Sequence, residues 1–301
     1  PEPKIPPQGM VAREGTVRDT LFFCIHFYCF SLTHGQFVKI FDFDSISGSN
    51  PWGSLLSDGT YLYGMTQKGG SSDSGTIFKI KPDGAGFSKL LDFNGTLNGS
   101  WPYGSLISDG TYLYGMTFYG GASNRGTIFR ILPDGTSHAI LHEFGGGVDG
   151  ESPYGDLIYD GTYLYGMTSL GGTNNSGTIF KIKADGSGYL KLFDFIGSIA
   201  YGSSPYGSFI YDGTYLYGTT QYGGATGRGT IFKIKTDGSG FTDLFNFDGA
   251  ANGGNPEGSL IFDGTFLYGT TEGGGTYNRG IVFKIKTDGS SFTDLYDFGG
   301  A

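Results

Sequence analysis

The stretch DGTYLYGMTFYGGASNRGTIFRI, residues 109–131, recurs in close copies along the chain, and its Asp-Gly-Thr triplet opens at Asp58, Asp109, Asp160, Asp212 and Asp263. The steps are 51, 51, 52 and 51 residues. A tandem array of this period is read as one supersecondary unit repeated. Each copy holds four segments of strand composition. The first is short and follows a proline, as in GSLIS from Gly104; then come TYLYGMT from Thr111, GTIFRI from Gly126 and, in the first repeat, FSKLLDF from Phe87. β-Branched and aromatic residues fill these segments, and Gly, Asp, Asn and Ser bound them. No window carries a helical period. An Asp-Gly turn joins the first two strands and PDG, ADG or TDG joins the last two, pairs that accept the positive φ of a tight hairpin. Every repeat therefore reads as a four-stranded antiparallel meander.

A unit of about 40 to 50 residues with four strands is the signature of a β-propeller blade. The expected fold is all-β, with five full blades at about 44–93, 94–144, 145–195, 196–247 and 248–298, in a domain of residues 37–301 that follows an N-terminal extension, residues 1–36. The second strand shows why blades must stack. Tyr112, Tyr114 and Met116 point one way and Leu113, Gly115 and Thr117 the other, so both faces need cover. A β-solenoid ranks behind, because its coils are usually shorter and lack paired Asp-Gly hairpins.

The most apolar run, LFFCIHFYCFSL at Leu21 to Leu32, is too short to span a bilayer as a helix. Two readings compete for it. With Met10 as a start and Arg13 and Arg18 as its flank it matches the core of a secretory signal. Alternatively TLFFCIHFY lies over TYLYGMTFY, as a decayed piece of a blade. Cys24 and Cys29, the only cysteines, would face opposite sides of one extended strand, which argues against a disulfide. From Phe37, FVKIFDF copies a fourth strand. Either five blades close with that strand spare, or the residues before Asp44 build a degenerate sixth.

The meander puts the two Asp-Gly hairpins of each blade at one end and the second-to-third loops and crossovers at the other. The hairpins barely differ between copies. The loops read QKGGSSDS, FYGGASNR, SLGGTNNS, QYGGATGR and EGGGTYNR, and variation on a constant frame is where recognition usually sits. The crossovers NPWGS, WPYGS, SPYGD, SPYGS and NPEGS place Trp52, Tyr103, Tyr154 and Tyr206 around the channel, with Glu257 breaking the ring. Flat rings with polar edges suit the apolar faces and hydroxyls of sugars; packing between blades is the plainer reading of the same rings. Arg125, Arg228 and Arg279 occupy matching loop positions and suit a carboxylate or sulfate, the plainer reading being solvated or paired side chains.

Other classes are poorly served. A net charge of −9, with 19 basic against 28 acidic residues, argues against nucleic acid or an anionic membrane as partner. No metal, cofactor or nucleophile motif is present. The histidines lie outside the repeated positions, and His138 and His142 would share a strand face about 13 Å apart, too far for one metal. Glu257 and Asp156 are the acids nearest the channel mouth. The repeated aspartates are turn formers.

The pattern DGTYLYGTTQYGGATGRGTIFKIKTDG, residues 212–238, resembles the Gloeobacter and Verrucomicrobium tandem repeat, whose core reads roughly LYGTT, GG, GT[IV]FK and a DG turn. The likeness runs from Phe37 to Phe298. It implies a bacterial secreted or cell-surface repeat protein, often with a C-terminal sorting signal, and brings no catalytic residues; this sequence stops at Gly300 and Ala301, just after a strand. The expected role is a non-enzymatic extracellular binding module for carbohydrate or another surface protein, with a structural surface or matrix protein as the alternative and a polysaccharide lyase or glycosidase as the least favoured. The oligomeric state is left open by the sequence.

Overall fold

The computed structural model describes residues 20–25, 28–33, 38–197 and 201–299, in two compact units, residues 1–41 and 42–301. In the first unit Thr20–Ile25 pairs antiparallel with Tyr28–Thr33, with Cys24 directly opposite Cys29. The apolar run is thus a strand pair and not one extended strand, and the expectation that the two cysteines fall on opposite sides of a single strand is overturned. Met10, Arg13 and Arg18 lie outside the described residues.

The second unit consists of five four-stranded antiparallel sheets, each in simple sequence order. Blade 1 is Leu56–Ser57, Leu62–Thr66, Thr76–Ile80 and Ser88–Asp92; the first strands of blades 2 to 5 are Ile107–Ser108, Ile158–Tyr159, Ile210–Tyr211 and Ile261–Phe262. Among the described residues there is no helix, hence none long and apolar enough to cross a membrane.

The repeated aspartate locks each first turn. Asp58 Oδ1 accepts the Thr60 and Tyr61 amides, both at 2.7 Å, and its Oδ2 accepts the Tyr63 hydroxyl at 2.8 Å. The Tyr61 and Thr60 amides hold the Asp58 carboxyl below its ordinary range, while burial and that carboxylate push the Tyr63 phenol up to about 12. The same three bonds recur at Asp109, Asp160, Asp212 and Asp263, so these residues are turn formers as expected.

Blades stack through a leading face on one sheet and a trailing face on the next. Tyr63, Met65, Ile77 and Phe93 of blade 1 meet Leu106, Leu113, Phe129 and Ile131 of blade 2. Equivalent residues join blades 2 and 3, 3 and 4, and 4 and 5. The closing phenylalanine of one blade meets the third-strand phenylalanine of the next edge-on, at 5.4 Å for Phe93–Phe129 and 5.3 Å for Phe144–Phe180, Phe195–Phe232 and Phe247–Phe283. Each ring, when fully buried, contributes on the order of 1.5–3 kcal/mol. Polar bonds repeat beside them. Lys79, Arg130, Lys181 and Lys233 each reach over an aromatic ring of their own second strand and donate to the turn carbonyl of the following blade at Pro133, Ala184, Thr236 and Thr287.

Near the axis the crossover glycines touch. A Cβ on Gly104 would stand 2.5 Å from the Gly155 carbonyl oxygen, one on Gly155 2.6 Å from that of Gly207, and one on Gly207 2.8 Å from that of Gly258. Gly258 itself meets only Thr270 Oγ1, at 3.5 Å. Blades 5 and 1 share no such glycine contact among the described residues.

A β-bulge between Ile140 and His142 corrects the histidine placement. The skipped residue reverses the alternation, so His138 packs on Phe129 at 5.8 Å, toward blade 1, whereas His142 stacks on Tyr189 of blade 3 at 3.7 Å with its Nε2 3.3 Å from Asp149 Oδ2. The two share no face. Phenylalanines fill the His142 place in blades 3 and 4, where Phe193 and Phe245 stack on Phe241 and Phe292 at 4.0 Å. Burial depresses His142 below its ordinary 6.5 in spite of Asp149.

Two predictions follow from these interfaces. Gly155→Ala lowers unfolding free energy by about 1–3 kcal/mol through overpacking, whereas Gly258→Ala, with no facing carbonyl, stays within about 0.5 kcal/mol; urea unfolding measures both. For His142 the folded state binds fewer protons than the unfolded one just below the ordinary pKa, so stability falls as pH drops through the region below 6.5. His142→Phe shrinks that loss, read as a flatter dependence of Tm on pH.

Candidate functional site at the crossover face

Each crossover is stitched to the second-to-third loop of its own blade by an isolated bridge: Ser49 with Lys68, Ser100 with Tyr119, Glu151 with Leu170, Ser203 with Tyr222 and Gly254 with Gly273. The residue before each crossover proline is then forced into the left-handed region, with φ of 56° at Asn50, 55° at Trp101, 57° at Ser152, 53° at Ser204 and 57° at Asn255. Such a conformation costs roughly 1–3 kcal/mol for a non-glycine. It is held because these residues bond in two directions. In blade 2 the Trp101 amide donates to Ser74 of blade 1 while its carbonyl accepts from Phe118, and Ser152, Ser204 and Asn255 repeat the arrangement. The turn delivers the side chain two positions on to the mouth of the axis.

The structure brings four of the expected residues into one row. Trp52 meets Tyr103 edge-on at 5.9 Å, Tyr103 and Tyr154 stack at 4.6 Å, and Tyr154 meets Tyr206 edge-on at 4.8 Å. Phe118 stands edge-on to Tyr103 at 5.3 Å. The tyrosines are half-buried and spend ring surface on one another, as the packing reading requires. Trp52 differs, being 61% exposed. Amides border the row at one end, where Gln67 accepts from the Trp52 indole at 3.2 Å and donates to the Tyr103 hydroxyl at 2.6 Å. At the other end Gln221 donates to Glu257.

Glu257 ends the row in charge. Burial pushes its carboxyl above the ordinary 4.5, the charge of Glu272 pushes it further, and the Gln221 amide pulls the other way. Glu272, Gln67 and Gln221 were not picked out from the sequence. The signal was present, since all three occupy the first position of the variable loop, where blades 2 and 3 carry Phe118 and Ser169. Asp156 lies elsewhere: its Oδ1 accepts the Ser105 amide of blade 2 at 2.5 Å, in the place that serine hydroxyls take between the other blades.

The three arginines are not gathered. Arg125 pairs with Glu151 of the next crossover beside an open hollow of about 370 Å³ lined also by Tyr119, Asn124 and Leu170. Arg228 donates to Asn255 at 3.3 Å, and Arg279 is exposed. Among the described residues no three of His, Cys, Asp and Glu are grouped to hold a metal ion.

A model of the Gloeobacter/Verrucomicrobia repeat matches residues 26–169 and again 147–301. The chain belongs to this repeat family. No curated protein matches it. Among solved structures, this Gloeobacter/Verrucomicrobia repeat protein is similar to a chain of a nidogen/laminin complex, with 16% identity over 81% of this chain and 78% of that one and a TM-score of 0.54. It is also similar to the GH74 enzyme of Niastella koreensis, with 17% identity, 83% of this chain covered and a TM-score of 0.55, but it spans only 38% of that chain. At such identities the likeness is one of fold, and the fold is the β-propeller.

The acidic end of the row gives a direct test. A carboxyl whose folded pKa lies above its unfolded value makes the native state less favourable at neutral pH than it is after protonation. Glu257→Gln therefore raises Tm at pH 7, and the difference from the parent closes as pH falls through the region of 4.5. Thermal melts at a series of pH values check it.

Proposed function

We propose that this repeat protein is a non-enzymatic extracellular recognition module that takes carbohydrate at the crossover face. The observation that carries the reading is the exposed indole of Trp52 at the head of a continuous row of Tyr103, Tyr154 and Tyr206. A pyranose presents C–H groups to such a ring and hydroxyls to its edges. Around the row, the Gln67 and Gln221 amides and the Glu257 carboxylate supply the few placed polar groups that orient a ligand in an otherwise apolar site. The extracellular part of the reading rests on the resemblance to secreted and surface-borne repeat proteins.

Binding rather than reaction is favoured by how the acids are used. Asp156 is engaged by a backbone amide within a blade interface and Glu257 by Gln221.

A glycan array probed with the full chain tests the reading. Retention of at least one glycan is expected, with Trp52→Ala weakening it by about tenfold or more, the factor that corresponds to about 1.4 kcal/mol. An array with no retained glycan, or retention indifferent to both Trp52→Ala and Tyr206→Ala, would sink it.

A further inference from the structure

Apart from the axial row, the crossover face has a second recess, the hollow of about 370 Å³ between blades 2 and 3. Its size falls within the range of small-molecule sites, about 300–1,000 Å³. Three elements wall it. Tyr119, Asn124 and Arg125 come from the second-to-third loop of blade 2, Glu151 from the crossover that enters blade 3, and Leu170 from the loop of blade 3. The bridge between Glu151 and Leu170, and the bond from the Ser152 amide to the Arg125 carbonyl at 2.8 Å, fix these elements against one another.

The polar groups of the hollow are held in place without being used up. Arg125 Nη1 pairs with Glu151 Oε2, and a Cβ on Gly146 would stand 2.7 Å from Arg125 Cδ, so the arginine stem lies on the crossover backbone. The pair is asymmetric, the Arg125 side chain being 45% exposed and that of Glu151 13%. Asn124 Oδ1 accepts the Gly120 amide at 3.0 Å, which leaves its Nδ2 to donate. Among the described residues neither that Nδ2, nor Arg125 Nη2, nor the Tyr119 hydroxyl bonds to a protein group. The Tyr119 ring is fixed edge-on by Trp101 at 5.5 Å and by Phe118 at 4.6 Å, yet stays 36% exposed. The set is not repeated at the neighbouring interfaces: Ser74 and Ser176 hold the Arg125 place in blades 1 and 3, and Gly254 holds the Glu151 place opposite Arg228.

We infer that this hollow is a second subsite of the crossover face, which takes a neutral pyranose of an oligosaccharide by two adjacent hydroxyls. The inference rests on the carbohydrate reading above and adds to it the length and charge of the ligand. A guanidinium only donates and a carboxylate only accepts, whereas a hydroxyl does both. Two neighbouring hydroxyls therefore match the Arg125 and Glu151 pair, with the C–H face of the sugar on the Tyr119 ring. Because Glu151 already neutralises Arg125 and repels a further anion, the hollow does not suit the carboxylate or sulfate that Arg125 alone would attract. Phe118 links the two subsites, standing edge-on to Tyr154 of the axial row at 6.0 Å and to Tyr119 of the hollow at 4.6 Å. One linear oligosaccharide reaches both, and its hold on the first raises its effective concentration at the second.

The test uses the full chain on an array of neutral oligosaccharides, their constituent monosaccharides, and counterparts bearing uronate or sulfate. Neutral oligosaccharides are expected to be retained more strongly than their monosaccharides, and Tyr119→Ala and Glu151→Gln each to weaken that retention by about tenfold. Thermal melts check that both variants fold; Tyr119→Ala leaves the ion pair intact and carries the test if Glu151→Gln does not fold. Retention that falls with Trp52→Ala but is unchanged by Tyr119→Ala overturns the hollow and leaves the axial row standing. Retention that falls with Tyr119→Ala but ignores both Trp52→Ala and Tyr206→Ala supports the hollow and removes the row. Equal retention of monosaccharide and oligosaccharide overturns the pairing of two subsites, and a preference for uronate or sulfate overturns the neutral diol. An array with no retained glycan overturns both readings.

Discussion

A four-stranded sheet with large apolar residues on both faces is stable only between two others, and this chain meets that constraint by repeating one sheet. Phe129, Phe180, Phe232 and Phe283 each lie at the centre of a cluster drawn from two blades, so no blade owns its core. Stability then accumulates through nearest-neighbour contacts, as it does in other repeat architectures. Tight glycine contacts at the axis bring the sheets close enough for those rings to meet edge-on. The lysine-to-turn bonds hold the sheets at the outer side.

The crossover face inherits its geometry from this packing. Because adjacent blades approach glycine to glycine, the side chains next to those glycines arrive within ring-contact distance of one another, and Trp52, Tyr103, Tyr154 and Tyr206 become one row. The left-handed residue before each crossover proline aims them. The crossover face and the stack are therefore coupled through the backbone: whatever loosens the contact between two blades also spreads the row. Glu257 ends the row beside Glu272, whose charge adds to its burial in holding the carboxyl above the ordinary range.

Much of this was legible beforehand, for reasons that can be traced to particular residues. The Asp-Gly-Thr spacing fixed the unit, alternation in TYLYGMT fixed which residues face which neighbour, and Leu113 and Tyr114 do fall into the cores on either side of blade 2. The histidines misled because periodicity of two assumes an unbroken ladder, and the bulge between Ile140 and His142 breaks it. The cysteines misled because an apolar run carries no mark of where a strand turns back, and Cys24 pairs across a ladder with Cys29. At the site, the aromatic crossover positions were readable from their repeated register. Gln67, Gln221 and Glu272 were not picked out, although each holds the first position of a variable loop, because that register shows its meaning only once the loops are set beside the crossovers.

By itself the sequence determined the local unit: four strands, their turns, the aspartate that locks each first hairpin and the two apolar faces of the sheet. These follow from spacing and side-chain chemistry within about fifty residues, the range over which a meander is built from neighbouring strands. Only the tertiary structure decided which copies touch, that Asp156 serves a backbone amide and Arg125 a neighbouring glutamate, and that the crossover rings form a row. Those outcomes depend on how one blade is rotated against the next, an angle set jointly by every contact in the interface and written in no single repeat.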